Sequence, residues 1–267
     1  MPRANRHHVP GQLWHITHRC HDRSFLLKFA RDRRCYLNWL CEARKRLGLC
    51  VLNYVVTSNH IHLLVRDGGD NVLARSMQLV AGRTARAHNQ RKNRHGAFWE
   101  DRYHATAVEA NEHLHRCLVY IDLNMVRAGV VRHPADWVHG GYKEIQGLPE
   151  RCSVIDLTEL SRLSGFLHVK DFQQAHAAWV SQALAANALQ RDERWSEAIA
   201  VGGHAFVQRV KDELGIAARH RGVENVDGVC ALREPTASYK FDFDPESELP
   251  GAENTRSWQV NSLRSEA

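Results

Sequence analysis

The sequence predicts an α+β fold, strands and helices mixed in its first half and a mostly helical C-terminal extension after it. Short runs rich in β-branched residues, such as 51–56 and 60–65, are too brief for helices and suit strands. Longer stretches carry apolar residues at helical spacing and close on glycine, as at Gly48 and Gly129. From residue 156 onward the chain is dominated by amphipathic, Ala-rich helical pattern.

In order, residues 2–11 form a basic lead-in ending in a Pro-Gly turn. Residues 13–19 alternate as a first strand: Leu13, His15, Thr17 and Arg19 share one face, and Trp14, Ile16 and His18 the other. A helix over 30–47 places Tyr36, Leu37, Leu40, Ala43 and Leu47 on its apolar side. Two strands follow, joined by the turn Thr57-Ser58-Asn59. A second helix runs from Asn71, as N-cap, to about Asn89. Residues 99–108 alternate as a fourth strand. The third helix spans 111–127, with Asn111 as N-cap. Beyond Pro149, helices are expected over 156–163 and 171–189, then a helix–Gly-Gly–helix unit over 195–214. Acidic, Pro/Gly-bearing sequence from Pro235 predicts an extended tail.

The net charge of +6 hides an asymmetry. Residues 1–149 hold 23 Lys and Arg against 12 Asp and Glu, a net of +11, and the remainder hold 13 against 18, a net of −5. A basic half suggests a polyanionic partner, and its preference for Arg over Lys suits phosphates and base edges. No apolar stretch reaches the ~18 residues of a membrane helix, and no secretory h-region is seen, so a cytoplasmic, membrane-free protein is expected. Seven scattered cysteines without a Cys-x-x-Cys pair point to reduced thiols.

Two features carry chemistry. His60 and His62 alternate with Ile61 on a strand, so both imidazoles point the same way. They are either a pair able to converge on one divalent metal or two hydrogen-bonded histidines on a half-exposed strand. The third helix is apolar on two sides, with a narrow polar stripe between: His113, Arg116, Tyr120, Asn124 and Arg127. Such a stripe must meet something polar. Between these features, Arg83, Arg86, His88, Arg91, Lys92, Arg94 and His95 run into Phe98-Trp99, a phosphate track with stacking surface or a solvated helix end. A zinc hydrolase built on His15, His18, His21 or Cys20 would need a spacing these residues lack.

The stretches Pro10-Gly11-x-Leu13-Trp14-His15-Ile16-Thr17-x-Arg19, Ser58-Asn59-His60-Ile61-His62-Leu63-Leu64-Val65, Gly96-x-Phe98-Trp99-x-Asp101-Arg102-Tyr103 and Tyr120-Ile121-x-Leu123-Asn124-x-Val126-Arg127-Ala128-Gly129 resemble, in order and spacing, the single-tyrosine HUH transposases. Among these, the chain is most similar to the REP-associated tyrosine transposases of bacteria, with an IS200-like transposase domain. The resemblance implies a ferredoxin-like antiparallel sheet with helices, the HUH nuclease domain, over residues 1–147. A helical extension over 148–234 and the acidic tail over 235–267 would follow. It implies a single-strand DNA endonuclease and strand transferase acting beside short hairpins through a 5′-phosphotyrosine. Tyr120 falls on the nucleophile, His60 and His62 on the metal pair, and Asn124 on a third, amide ligand, with Mg²⁺ or Mn²⁺ as the metal. Single-stranded or hairpin DNA would meet Arg3, Arg6, Arg19, Arg23, Arg83, Arg86, Arg91, Lys92, Arg94, Trp99, Arg102, Arg116 and Arg127. A monomer is expected, with a homodimer as the alternative, working at the nucleoid. The other reading keeps the fold as a catalytically silent hairpin-binding regulator. The pattern departs from the family at Trp137-Val138-His139-Gly140-Gly141-Tyr142, where members commonly carry Trp-x-x-Ser-Ser-Tyr, and His113 has no role in it.

Overall fold

Strand β1 (Leu13–Arg19), helix α1 (Ala30–Leu47), strands β2 (Cys50–Val56) and β3 (His60–Arg66), helix α2 (Val72–Lys92) and strand β4 (His104–Val108) follow one another in the first half. The computed structural model describes residues 11–147, 153–187, 189–226 and 228–233. The four strands form a sheet ordered β2-β3-β1-β4 with every neighbour antiparallel, and with the two helices they make the ferredoxin-like βαββαβ arrangement expected. The β1–β3 register sets Arg19 opposite His60 and Thr17 opposite His62.

The two sheet faces carry different layers. Helices α1 and α2 pack together over the face that bears His18, where Tyr36 and Trp99 meet at 6.3 Å between ring centroids. The opposite face, bearing His15, Thr17 and His62, is covered by α3 (Glu112–Asp122) and its one-turn continuation α4 (Asn124–Arg127). A one-turn helix α5 (Tyr142–Ile145) leads to α6 (Leu157–Leu163) and α7 (Val169–Ala185). Asp156 caps α6 through its side chain, and Arg66 of β3 pairs with Glu159 on it. Helix α7 docks on α3 through fully buried His176, whose Nε2 lies 2.8 Å from Asp122 Oδ2, while Asn53 of β2 donates to Asp122 Oδ1.

The second half adds more than helices. The unit expected as helix–Gly-Gly–helix keeps its second helix, α9 (His204–Leu214). Its first is a single turn, α8 (Arg194–Glu197), followed by strand β5 (Ala200–Gly202). β5 pairs in parallel with β4, and β6 (Gly222–Val226) and β7 (Val229–Arg233) extend the sheet to β2-β3-β1-β4-β5-β7-β6. The fold is thus α+β on one seven-stranded, mostly antiparallel sheet among the described residues. The tail expected over 235–267, with Arg3 and Arg6, lies outside them.

Local differences have physical causes. Asn71 and Asn111 are not side-chain caps. Both hold positive φ, 56° and 62°, a conformation asparagine tolerates better than most residues, and neither side chain makes a cap bond. The fourth strand starts late, at His104, because Trp99 makes only a single bridge to Cys20 and the chain bends between them. The third helix loosens at Leu123, where ψ is 2°. Cys41 is disulfide-bonded, against the expectation of reduced thiols, whereas Cys20, Cys35, Cys50, Cys117 and Cys230 are free.

The Gly-Gly departure from the family pattern is explained by packing. A Cβ on Gly141 would stand 2.3 Å from Asn53 Oδ1 and 2.8 Å from Ile155 Cδ1, so a serine cannot sit there without moving its neighbours. At Gly140 the nearest atom to such a Cβ is at 3.6 Å. The pair lets this segment bridge Val55 and cover the β2 edge.

Candidate functional site

The site is built by strand alternation on β1 and β3 and by helical spacing on α3. His60 and His62 share a face, with ring centroids 5.0 Å apart. Tyr120 projects from α3 toward them, 5.8 Å from His62 and 6.0 Å from His15 between centroids. Tyr120 and both histidines belong to one chain.

Hydrogen bonds fix which ring nitrogens carry protons. His60 Nδ1 lies 2.8 Å from Asn59 Oδ1 and 3.0 Å from Thr57 Oγ1. The Thr57 hydroxyl donates to the His60 carbonyl, so His60 Nδ1 is the donor to its neighbours and Nε2 keeps its lone pair. His62 Nδ1 faces His15 Nε2 at 2.9 Å and Thr17 Oγ1 at 3.3 Å. Burial holds both imidazoles neutral: His60 drops to about 4 and His62 falls well below the ordinary histidine value, Arg19 and Arg127 adding to the effect. Neutral imidazoles with one nitrogen held by a hydrogen bond are the form in which histidine binds metal.

Asn124 is half-buried, one helical turn beyond Tyr120. Among the described residues no group of three or more His, Cys, Asp or Glu is placed to hold a metal.

The phenol of Tyr120 is buried, which raises its pKa, and the Arg127 guanidinium opposes that shift. Arg127 lies over the Tyr120 ring, 4.1 Å from its centroid, and donates to the Tyr120 carbonyl at 2.5 Å. Arg116 is turned away, paired with exposed Glu112. His113 Nε2 sits 3.5 Å from Glu109 Oε2, a partner in the helix-entry segment.

The expected DNA-binding residues divide between the two faces. Arg19, on β1, stands in the field of His60 and 3.9 Å from Glu100. Arg23 lies in the loop that Asn59 clasps through the Arg23 carbonyl. The α2 group lies on the other face: Arg83 stacks on Trp39 at 5.2 Å and Lys92 on Phe29 at 5.0 Å. Arg91 pairs with buried Asp32, and Arg94 donates to Asn89 and Ala97. The Arg86 side chain belongs to the same helix. Trp99 is stacked on His18 at 3.9 Å and donates to the Ala81 carbonyl, so one of its ring faces is already covered. Arg102, beside it, helps line a cavity of about 460 Å³ with His18, Arg75 and Tyr103. Because His15 and His18 point to opposite sheet faces, the zinc-hydrolase reading has no common centre.

Three further residues belong to the site. His15 bonds His62, Trp195 packs against Tyr120 at 6.1 Å, and Arg191 bears electrostatically on both Tyr120 and His60. Alternation on β1 put His15 on the same face as Thr17 and Arg19. Trp195 and Arg191 had no signal in the sequence, since they reach the site only through the β4–β5 pairing.

A buried tyrosine thus lies under an arginine and beside a pair of neutral histidines on one strand of a ferredoxin-like sheet. Residues 9–124, a little under half of the chain and the stretch that carries this site, match the family model described as Transposase IS200 like. The chain is therefore similar there to the transposases, a class of DNA-processing enzymes, as the sequence motifs indicated. Among solved structures, a REP-associated tyrosine transposase bound to a REP hairpin is 19% identical, with 56% of this chain and 89% of that one covered and a TM-score of 0.48. A candidate transposase from Deinococcus radiodurans R1 is 18% identical, with 42% and 89% covered and a TM-score of 0.33. None of the curated proteins compared matches the chain. Among the described residues no helix is long and apolar enough to cross a membrane.

Proposed function

We propose that the protein is a metal-dependent single-strand DNA endonuclease and strand transferase, acting beside short hairpins through a 5′-phosphotyrosine. One observation carries the reading: Tyr120, under Arg127, faces His62, whose ring lies 5.0 Å from that of His60, and on both neutral imidazoles Nε2 is free of the bonds that hold Nδ1. Residues 1–147 are the catalytic domain in this reading, and 148–234 an extension of its sheet and of the wall around Tyr120.

His60 and His62, with Asn124, would hold Mg²⁺ or Mn²⁺, which when bound polarises the scissile phosphate. Arg127 favours the phenolate of Tyr120. The Tyr120 oxygen attacks phosphorus, the bond to the 3′ oxygen breaks, and a 3′-OH and a 5′-phosphotyrosine result. A second 3′-OH reverses the step and joins new strands, so no nucleotide cofactor is consumed. Arg19, Arg23 and Arg191 meet the single strand near the site. Arg83, Arg86, Arg91, Lys92 and Arg94, with Arg102, take hairpin phosphates on the α2 side. Because Tyr120 and the histidine pair come from one chain, a monomer suffices. A DNA substrate sets the work at the nucleoid.

The test is incubation of the full chain with single-stranded hairpin oligonucleotides and Mn²⁺. A covalent protein–DNA adduct is expected, lost in Tyr120→Phe with hairpin binding kept. An adduct formed by Tyr120→Phe would remove Tyr120 as nucleophile. Hairpin binding without any adduct in the wild type would leave a non-catalytic regulator.

A further inference from the structure

His15 is fully buried on β1 and bonded at both ring nitrogens. Its Nδ1 lies 2.7 Å from the main-chain carbonyl of Trp195, and its Nε2 lies 2.9 Å from His62 Nδ1. The rings of His15 and His62 are nearly parallel, with 15° between their planes. A carbonyl can only accept, so His15 Nδ1 carries the proton. In the neutral ring Nε2 is then an acceptor, and the proton between the two histidines belongs to His62 Nδ1. No carboxylate is bonded to His15 among the described residues, so nothing there compensates a second proton. His62 Nε2 is left as the lone pair.

Trp195 lies on α8, in the C-terminal extension, and is held firmly. Its indole packs against His15 at 6.4 Å and Tyr120 at 6.1 Å. Three residues on, the Ala198 carbonyl accepts from Thr106 at 2.6 Å and bonds His104 at 2.9 Å, both on β4.

We infer that His15 is a positioning residue for the metal pair, and that the C-terminal extension sets it through the hydrogen-bond relay Trp195 carbonyl, His15, His62. The relay locks His62 in the tautomer and rotation that present Nε2 to a metal, the task usually given to a carboxylate or carbonyl bonded directly to the ligand histidine. The extension is thereby part of the metal site, although none of its own side chains binds the ion. This inference rests on the reading of His62 as a metal ligand.

The test uses the full-length protein and two readouts besides activity. Long-range ¹H–¹⁵N NMR of the wild type reports which His62 nitrogen is protonated, and electron paramagnetic resonance titration reports Mn²⁺ affinity. Nδ1 protonated and Nε2 bare is expected. A proton on Nε2 overturns the relay, whatever the variants do. His15→Leu, which removes the acceptor, is expected to weaken Mn²⁺ binding by about 10- to 100-fold. His15→Gln, which keeps an acceptor oxygen near the place of Nε2, is expected to recover part of the loss. Hairpin binding without metal should stay unchanged in both. Mn²⁺ affinity in folded His15→Leu equal to the wild type overturns the inference. A wild type with the expected tautomer but no Mn²⁺ binding would instead defeat the metal reading and uphold the relay.

Discussion

Arg127 is the residue whose removal tests the nucleophile most directly. Its guanidinium lies 4.1 Å from the centroid of the Tyr120 ring. At that separation a unit charge contributes roughly 4 kcal/mol at an effective dielectric of about 20. The phenolate charge is shared between ring and more distant oxygen, so about half, roughly 2 kcal/mol, reaches the attacking group. That is about 30-fold in rate. Burial pushes the phenol up and Arg127 pulls it down, so Arg127→Gln leaves the upward push less opposed. Single-turnover adduct formation should therefore slow about 10- to 50-fold at neutral pH. Its rise with pH, which follows loss of the phenol proton, should move to higher pH, because Arg127 no longer opposes the effect of burial. Arg127→Lys keeps the charge and should recover much of the rate. It loses the fork that also holds the Tyr120 carbonyl, so thermal stability of both variants separates the two roles. An Arg127→Gln adduct rate within twofold of the wild type, with an unmoved pH profile, would refute the reasoning.

Other expectations follow from the same geometry. Gly141→Ser should cost about 1–3 kcal/mol in chemical denaturation, as overpacking against Asn53 and Ile155, whereas Gly140→Ser should be nearly neutral. Hydrogen bonds from Arg162 and Arg66 hold Glu159 at about 2, below its ordinary 4.5. Its stabilisation is present above pH 4.5 and lost as pH falls through 2, so Glu159→Gln should destabilise at pH 7 by on the order of 1 kcal/mol and match the wild type at pH 2. Hairpin affinity should fall steeply with salt in fluorescence anisotropy, and Arg83→Ala with Arg86→Ala should flatten the slope by about two phosphate contacts. An unchanged slope would remove the α2 surface from the DNA path.

What the sequence revealed and what it hid divide along one physical line. Alternation and helical spacing are local, and what they govern was legible: the shared face of His60 and His62, the βαββαβ order, and Arg127 beside the Tyr120 ring. The structure even separates two arginines the sequence treated alike, Arg127 over the phenol and Arg116 toward Glu112. Strand β5 has three residues, and its pairing partner lies far away in the chain, so no window of sequence marks it. Strand β6 is a mostly exposed sheet edge and lacks the apolar alternation that betrays a half-buried strand. Val229–Arg233 is a short buried run, which periodicity cannot tell from a helical segment. Asn71 and Asn111 were right as boundary markers and wrong as caps, because the same side chain serves both a cap and a positive φ. The Trp195 carbonyl is the sharpest case. A main-chain acceptor is present at every residue, so only the fold decides which one meets a buried histidine. The part of the site that orients the histidines is thus written in tertiary pairing, and the part that would do the chemistry is written in side chains.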